Sequence, residues 1–123
     1  MTESHPVPVT LFVCTTCRHP EDGPEAPRAG ARLAAALHAP EGVELREVEC
    51  LGNCRRGPSV AMVREGGWSY VFGGLDAADG SAVVEGALLL GASADGLMPW
   101  RGRPEVLKRG LIARIPPVPG IAA

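Results

Sequence analysis

The hydrophobic positions of this chain fall into short runs that have two different periods. Residues 7–13 form an apolar run rich in β-branched side chains, which is typical of a buried strand. Residues 43–48 alternate between apolar and charged side chains, which predicts a second strand with one solvated face. Residues 59–64 and 68–72 predict two further strands, and Glu65-Gly66-Gly67 between them suits a hairpin turn.

Two longer segments repeat their apolar positions with the period of a helix. Residues 28–38 place small and apolar side chains on one stripe, and Pro40 marks the end of this predicted helix. Residues 76–94 form the longest helical pattern, with Asp76 as the predicted N-cap. Beyond this segment the chain is rich in prolines, so a helix at 105–109 would be short.

The order β-α-β-β-β-α predicts an α/β fold of the thioredoxin-like type. We expect a two-layer sandwich with a mixed four-stranded sheet and two main helices. At 123 residues, the chain is long enough to bury a core without disulfide bonds. Residues 1–96 are predicted to form this domain, and residues 97–123 an irregular extension packed on it.

Composition and charge narrow the class of protein. The formal net charge is −2, from 14 acidic and 12 basic residues, which argues against a general nucleic-acid binder. The first residues lack the basic and apolar segments of a secretory leader, and no apolar run approaches the roughly 20 residues of a membrane span. We therefore expect a cytoplasmic protein that binds neither membranes nor nucleic acids. Cysteines in that compartment stay reduced and act as ligands or redox groups.

The four cysteines form two close pairs, each placed just after a predicted strand. Cys14 and Cys17 follow the first strand, and Cys50 and Cys54 follow the second. Ligands collect at the carboxyl ends of strands in open α/β sheets, so we expect the pairs to converge. Four thiolates suit either tetrahedral zinc or an iron–sulfur cluster. The domain at 1–96 is therefore predicted to bind a metal or a cluster.

The residues around the second pair favour a [2Fe–2S] cluster over zinc. Gly52 lies between the two cysteines, where a glycine lets the backbone approach a bulky cluster. Arg55 and Arg56 follow at once, and their charge would offset the negative charge of the cluster. Simple zinc sites more often separate both pairs by two residues, whereas the second pair here is separated by three.

The segment at 49–58, Glu-Cys-Leu-Gly-Asn-Cys-Arg-Arg-Gly-Pro, resembles a known ligand motif. It is similar to the second ligand segment of thioredoxin-like [2Fe–2S] ferredoxins and of the small cluster subunit of NADH–quinone oxidoreductases, Glu-Cys-Leu-Gly-x-Cys-x-x-Ala-Pro. Gly57 replaces the alanine, and the first pair is closer in sequence than in those proteins. The resemblance implies a [2Fe–2S] cluster and a role for Pro58, with a cis Gly57–Pro58 bond against the first cysteine loop.

Nearly the whole chain also resembles an uncharacterised bacterial family of predicted metal-binding proteins. The matching stretches lie at 11–18, 68–75, 94–104 and 112–117. This resemblance supports the fold and the metal and implies no reaction.

The sequence thus predicts a small [2Fe–2S] ferredoxin-like protein, either an electron carrier or a cluster-bearing accessory protein. It would pass electrons to a protein redox partner, and it has no constellation of catalytic residues. Two alternatives stay open: a zinc-binding or metal-handling module, and a dithiol oxidoreductase that uses Cys14 and Cys17.

His19 is expected to be exposed rather than to bind a metal. The basic segment at 100–114 is expected to be a solvated tail rather than a docking strip for an acidic partner. A homodimer is a further option, through the predicted β-hairpin or this C-terminal segment, although nothing in the residues fixes its interface.

Overall fold

The computed structural model describes residues 7–17, 25, 27–53 and 56–117. In chain order, its elements are β1 (Val9–Cys14), α1 (Ala29–Ala36), β2 (Val43–Val48), β3 (Val60–Arg64), β4 (Ser69–Phe72), α2 (Gly80–Ala92), α3 (Glu105–Arg109) and β5 (Leu111–Ile115).

The strands form one mixed sheet in the order β2-β1-β3-β4-β5. β1 and β2 are parallel and pair from Val9 opposite Val43 to Cys14 opposite Val48. The other three pairs of neighbouring strands are antiparallel. Because β1 and β2 are parallel and in register, their carboxyl ends lie side by side, and the two cysteine segments start from the same end of the sheet.

The core lies on one face of the sheet, beneath α1 and α2. Leu11, Met62 and Tyr70 are neighbours across β1, β3 and β4, and each is at most 1% exposed. Both helices contact β1 and each other, and α2 also contacts β2 and β3. Val63 lies on the opposite face and is 39% exposed. The helices therefore cover one face only, and the predicted two-layer sandwich is confirmed.

The sheet has five strands, whereas the sequence predicts four. The additional strand is β5, and it comes with the short helix α3 from the segment predicted to be an irregular extension. β5 lies at the edge of the sheet, and its residues from 113 onward are exposed. An exposed edge strand of five residues has no buried face to impose an alternating pattern, which is why periodicity does not reveal it.

The capping function predicted for Asp76 is confirmed, although the capped element is a 3₁₀ turn at Ala77–Asp79 just before α2. The Asp76 carboxylate accepts a hydrogen bond from the backbone N–H of Ala78 at 2.8 Å, and the Asp79 carboxylate accepts one from the N–H of Asp76 at 2.9 Å.

Within the described part of the chain, no helix is both long enough and apolar enough to cross a membrane.

Candidate metal centre

The first cysteine pair lies inside the protein at the end of β1. Cys14 is the last residue of the strand and is 0% exposed, and Cys17 is 3% exposed. Their Sγ atoms are 2.7 Å apart. Two thiolates bound at about 2.3 Å to one tetrahedral ion lie about 3.8 Å apart, so sharing an ion requires this pair to open by about 1 Å.

A backbone amide contacts the sulfur of Cys14. The N–H of Ser59, just before β3, donates to Cys14 Sγ at 3.2 Å, and the N–H of Cys14 donates to the carbonyl of Ser59 at 3.1 Å. Both partners are buried. Hydrogen bonds to the ligating sulfurs are among the features that set the reduction potential of iron–sulfur clusters.

The second cysteine segment begins at the end of β2, beside the first. Cys50 is exposed, and its Sγ accepts a hydrogen bond from the N–H of Gly52 at 3.2 Å. Gly52 has φ +79°, a conformation that favours glycine, and a side chain there would meet no other atom within 4 Å. The backbone conformation therefore explains this glycine. Cys54 and Arg55 lie outside the described residues, as does His19, and their roles stay predictions.

Two threonines between the first pair of cysteines hold that turn against the second segment. The N–H of Thr15 donates to the carbonyl of Val48 at 2.8 Å, and its hydroxyl donates to the same carbonyl at 3.2 Å. The hydroxyl of Thr16 donates to the carbonyl of Glu49. These bonds join the Cys14–Cys17 turn to the residues that lead directly to Cys50. The sequence assigns the threonines no role, because their partners are distant in sequence.

Helix α1 begins against the same turn. The N–H of Gly30 donates to the carbonyl of Cys17 at 3.0 Å. A Cβ atom at Gly30 would collide with the carbonyl oxygen of Cys14, so only glycine permits this close approach. The amino end of α1, which carries partial positive charge, therefore adjoins a turn that bears two thiols.

The segment that follows the second pair folds back over the first pair. The Gly57–Pro58 peptide bond is cis, as the resemblance implies, and Gly57 packs directly against Cys17. The Asn53 side-chain amide donates to the hydroxyl of Ser59 at 2.9 Å, and the Pro58 carbonyl accepts from a backbone amide just beyond β4. Asn53 and Ser59 are thus structural members of the site that sequence patterns do not reveal.

Two arginines adjoin the cysteine segments: Arg28 through its side chain and Arg56 through its backbone. Arg56 is exposed and lines a depression of about 190 Å³ together with Arg109 of α3. Arg28, which the sequence analysis does not single out, donates to the carbonyl of Thr16 at 2.8 Å.

The basic segment at 100–114 is neither a uniform solvated tail nor a continuous strip, because Arg103 within it is only 8% exposed.

The donor set fits a thiolate-bound centre. Among the described residues, which omit Cys54, no group of three or more His, Cys, Asp or Glu side chains could hold a metal ion. Two buried sulfurs at the end of β1 and a third after β2 are nevertheless the soft donors that iron–sulfur clusters and zinc require. Backbone amides already contact two of these sulfurs.

The fold is that of the thioredoxin-like ferredoxins. A solved thioredoxin-like [2Fe-2S] ferredoxin from Aquifex aeolicus superposes with a TM-score of 0.57 at 21% identity, over 88% of this chain and 93% of that chain. The crystal structure of the wild-type ferredoxin gives 0.56 at 20% identity, over 87% and 98%. That of a cysteine-to-serine variant gives 0.55 at 20% identity, over 85% and 98%. At these identities the likeness shows the fold alone.

The chain belongs to the family described as "Protein of unknown function (DUF1636)", whose model matches residues 11–117. No curated protein matches the chain.

Proposed function

We propose that this protein is a small [2Fe–2S] ferredoxin-like protein, an electron carrier or a cluster-bearing accessory protein, with Cys14, Cys17, Cys50 and Cys54 as ligands. The observation that carries the proposal is the hydrogen bonding of the Cys14–Cys17 turn to Val48, the last residue of β2, and to Glu49 just after it. It sets the first pair beside the segment that leads to Cys50. The solved structures that share the fold are described as [2Fe-2S] ferredoxins, which supports the same conclusion.

The surrounding residues would support such a centre in two ways. The N–H groups of Ser59 and Gly52 donate to two of the proposed ligand sulfurs. The guanidinium of Arg28, which donates to the Thr16 carbonyl, brings positive charge to the same region, and Arg56 adds positive charge two residues after Cys54. Both effects favour the reduced, more negative state and so raise the reduction potential. A bound [2Fe–2S] cluster would supply one-electron redox chemistry.

A redox partner would approach from the side of the second pair. Cys50 is exposed, whereas Cys14 and Cys17 are buried, so the shortest path from solvent to the centre passes the second segment. Arg56 follows the second segment directly in the chain and shares a surface depression with Arg109, and these two cations favour a partner with an acidic surface. Thiolate ligands persist where thiols stay reduced, so the proposal implies a cytoplasmic protein.

A dithiol oxidoreductase is the second candidate, and the 2.7 Å separation of the Cys14 and Cys17 sulfurs favours it. Its attacking thiol must reach a substrate disulfide, which requires partial exposure. Cys17 is 3% exposed and Cys14 is 0% exposed, so burial favours the metal-bound function. Incubation of metal-free protein with glutathione disulfide and an excess of a dithiol reductant, which regenerates the protein dithiol after each cycle, tests this candidate against the uncatalysed rate. A Cys17-dependent turnover would support the enzyme, and inert thiols would exclude it.

Serine substitution at Cys50 tests the ligand assignment. Cys50→Ser is expected to remove most of the visible absorption of anaerobically purified protein. Glu47→Gln, at an exposed position three residues earlier, is the matched control and is expected to keep it. A fully coloured Cys50→Ser protein would refute the assignment. Circular dichroism of both variants separates loss of the cluster from loss of the fold.

A further inference from the structure

A second cavity lies away from the cysteine segments. Its volume is about 780 Å³, within the range of small-molecule sites, and it opens between the loop after α2 and the edge formed by β4 and β5. Among the described residues, none of the proposed cluster-binding residues lines it. The lining residues that matter here are Tyr70, Leu97, Trp100, Arg103, Leu111 and Arg114.

The walls of this cavity are fixed by hydrogen bonds to the loop at 93–103. The hydroxyl oxygen of Tyr70 accepts from the N–H of Met98 at 2.8 Å, and the N–H of Trp68 donates to the carbonyl of Gly96 at 2.9 Å. Arg103 donates through Nε to the carbonyl of Pro99 at 3.1 Å and through Nη2 to the carbonyl of Met98 at 2.5 Å. The loop is thus anchored to β4, and the cavity is formed before any ligand arrives.

Arg103 lines the cavity and carries a positive charge, although its side chain is buried, which is uncommon for a cation. It is 8% exposed, and its guanidinium lies 5.7 Å from the ring centroid of Tyr70 and 5.2 Å from that of Trp100. Burial lowers the pKa of Arg103, and repulsion from Arg114 lowers it further. A guanidinium nevertheless stays charged at neutral pH. The aromatic rings offset part of the cost of burying that charge.

The positive charge of the cavity is not neutralised by the protein. Within the described ranges, neither Arg103 nor Arg114 forms a salt bridge. Asp95 is the one carboxylate in the lining, and it accepts hydrogen bonds from the hydroxyl of Ser93 at 2.7 Å and the N–H of Leu97 at 3.1 Å. Two cations therefore face the cavity against one carboxylate that is already engaged within its own loop.

We propose that this cavity binds a small organic anion, whose carboxylate or phosphate group pairs with Arg103 and Arg114. The forked guanidinium group matches the geometry of both kinds of oxyanion. Nε and Nη2 of Arg103 bond the loop carbonyls, so Nη1 of Arg103 and the fork of Arg114 would contact the ligand. Trp100, Leu97 and Leu111 supply an aromatic and apolar surface for the body of the ligand, which an inorganic ion would leave unused. The site is independent of the proposed cluster.

The tryptophans of the chain provide a local signal for binding. There are two of them, and both belong to this region: Trp100 lines the cavity, and the guanidinium of Arg114 lies 4.8 Å from the ring centroid of Trp68. We would titrate the full chain at constant ionic strength with phenyl phosphate and with benzoate, using benzyl alcohol as the uncharged control. A saturable change in tryptophan emission with at least one anion, and none with benzyl alcohol, is expected. The anion that binds more tightly identifies the head group.

Matched variants separate a built site from general charge attraction. Arg114→Gln is expected to weaken binding by about tenfold or more, since it removes one charge-assisted hydrogen bond. Arg101→Gln removes the same charge from an exposed position outside the lining and should change binding by less than about threefold, because solvent and salt screen it. Equal weakening in the two variants, binding of benzyl alcohol, or no saturable response to either anion would overturn the proposal. The iron content of the protein plays no part in these outcomes.

Discussion

Gly57 and Cys17 are in such close contact that a side chain at position 57 would have no room. A Cβ atom at Gly57 would lie 2.5 Å from Cys17 Sγ and 2.7 Å from Cys17 Cβ. The ferredoxin pattern that residues 49–58 resemble has alanine at this position. In this chain the sulfur of Cys17 occupies the space of that methyl group. The two departures from the pattern, glycine at 57 and the short spacing of the first pair, therefore have one steric explanation.

Replacing Gly57 by alanine tests this relationship. Gly57→Ala is expected to lower the free energy of unfolding by about 1–3 kcal/mol, because it overpacks a buried contact. In a Cys17→Gly background, where both close atoms are absent, most of that cost should disappear. Urea unfolding of the four proteins of this double-mutant cycle gives the coupling directly. An equal cost in both backgrounds would show that the contact does not explain the glycine.

Gly30 provides an independent test of how α1 meets the cysteine turn. Alanine is normally better than glycine in a helix by about 1 kcal/mol. Gly30→Ala is nevertheless expected to lower the free energy of unfolding by about 3 kcal/mol, since its Cβ would collide with the backbone carbonyl of Cys14. Ala31→Gly, at the exposed neighbouring position, is the control and should lower it by about 1 kcal/mol. A Gly30→Ala protein as stable as the wild type would contradict the packing described here.

The hydroxyl of Tyr70 anchors the loop that forms the second cavity. Tyr70→Phe removes the acceptor for the buried N–H of Met98, and an unsatisfied buried donor costs about 1–3 kcal/mol. We expect the loss to be local, so that amide hydrogen exchange at Met98 accelerates more than exchange at core positions of β1. Unchanged protection of the Met98 amide would mean that another contact holds the loop.

Asp95 gives the stability of this loop a defined dependence on pH. The hydrogen bond from Ser93 is the main cause that lowers the pKa of Asp95, followed by the bond from the N–H of Leu97. A carboxyl whose pKa is lowered by folding stabilises the folded state above its unfolded pKa, and this contribution is lost as pH falls through its folded pKa. The difference in stability between wild type and Asp95→Asn should therefore be constant above about pH 5 and shrink as the pH falls further. Urea unfolding across that range measures it, and a difference that grows on acidification would contradict the sign.

Much of the fold could be predicted because its buried strands carry strong periodic patterns. β2 has the predicted limits, β1 begins two residues and ends one residue later than predicted, and β3 and β4 each begin one residue later and end as predicted. Their side chains meet the core, so burial imposes the pattern that the sequence displays. The sequence pattern does not predict β5, because this strand is exposed at the edge of the sheet and its partner β4 comes from a distant part of the chain.

The candidate site could be predicted only at the level of its cysteines. The placement of Cys14 at the end of β1 and of Cys50 just after β2 follows from local patterns and the rule for strand ends. The contacts of Thr15, Thr16 and Ser59 do not, since each joins segments more than thirty residues apart. Such contacts depend on the register of β1 against β2 and β3, which becomes known only once the sheet is assembled.

The central claim is that the four cysteines hold a redox-active [2Fe–2S] cluster. Iron and acid-labile sulfide analysis of anaerobically purified protein, together with its visible spectrum before and after dithionite, tests it most directly. We expect equal amounts of iron and sulfide, and a brown colour that bleaches on reduction. Colourless protein that contains one equivalent of zinc and no sulfide would contradict the claim and leave a structural or metal-handling module.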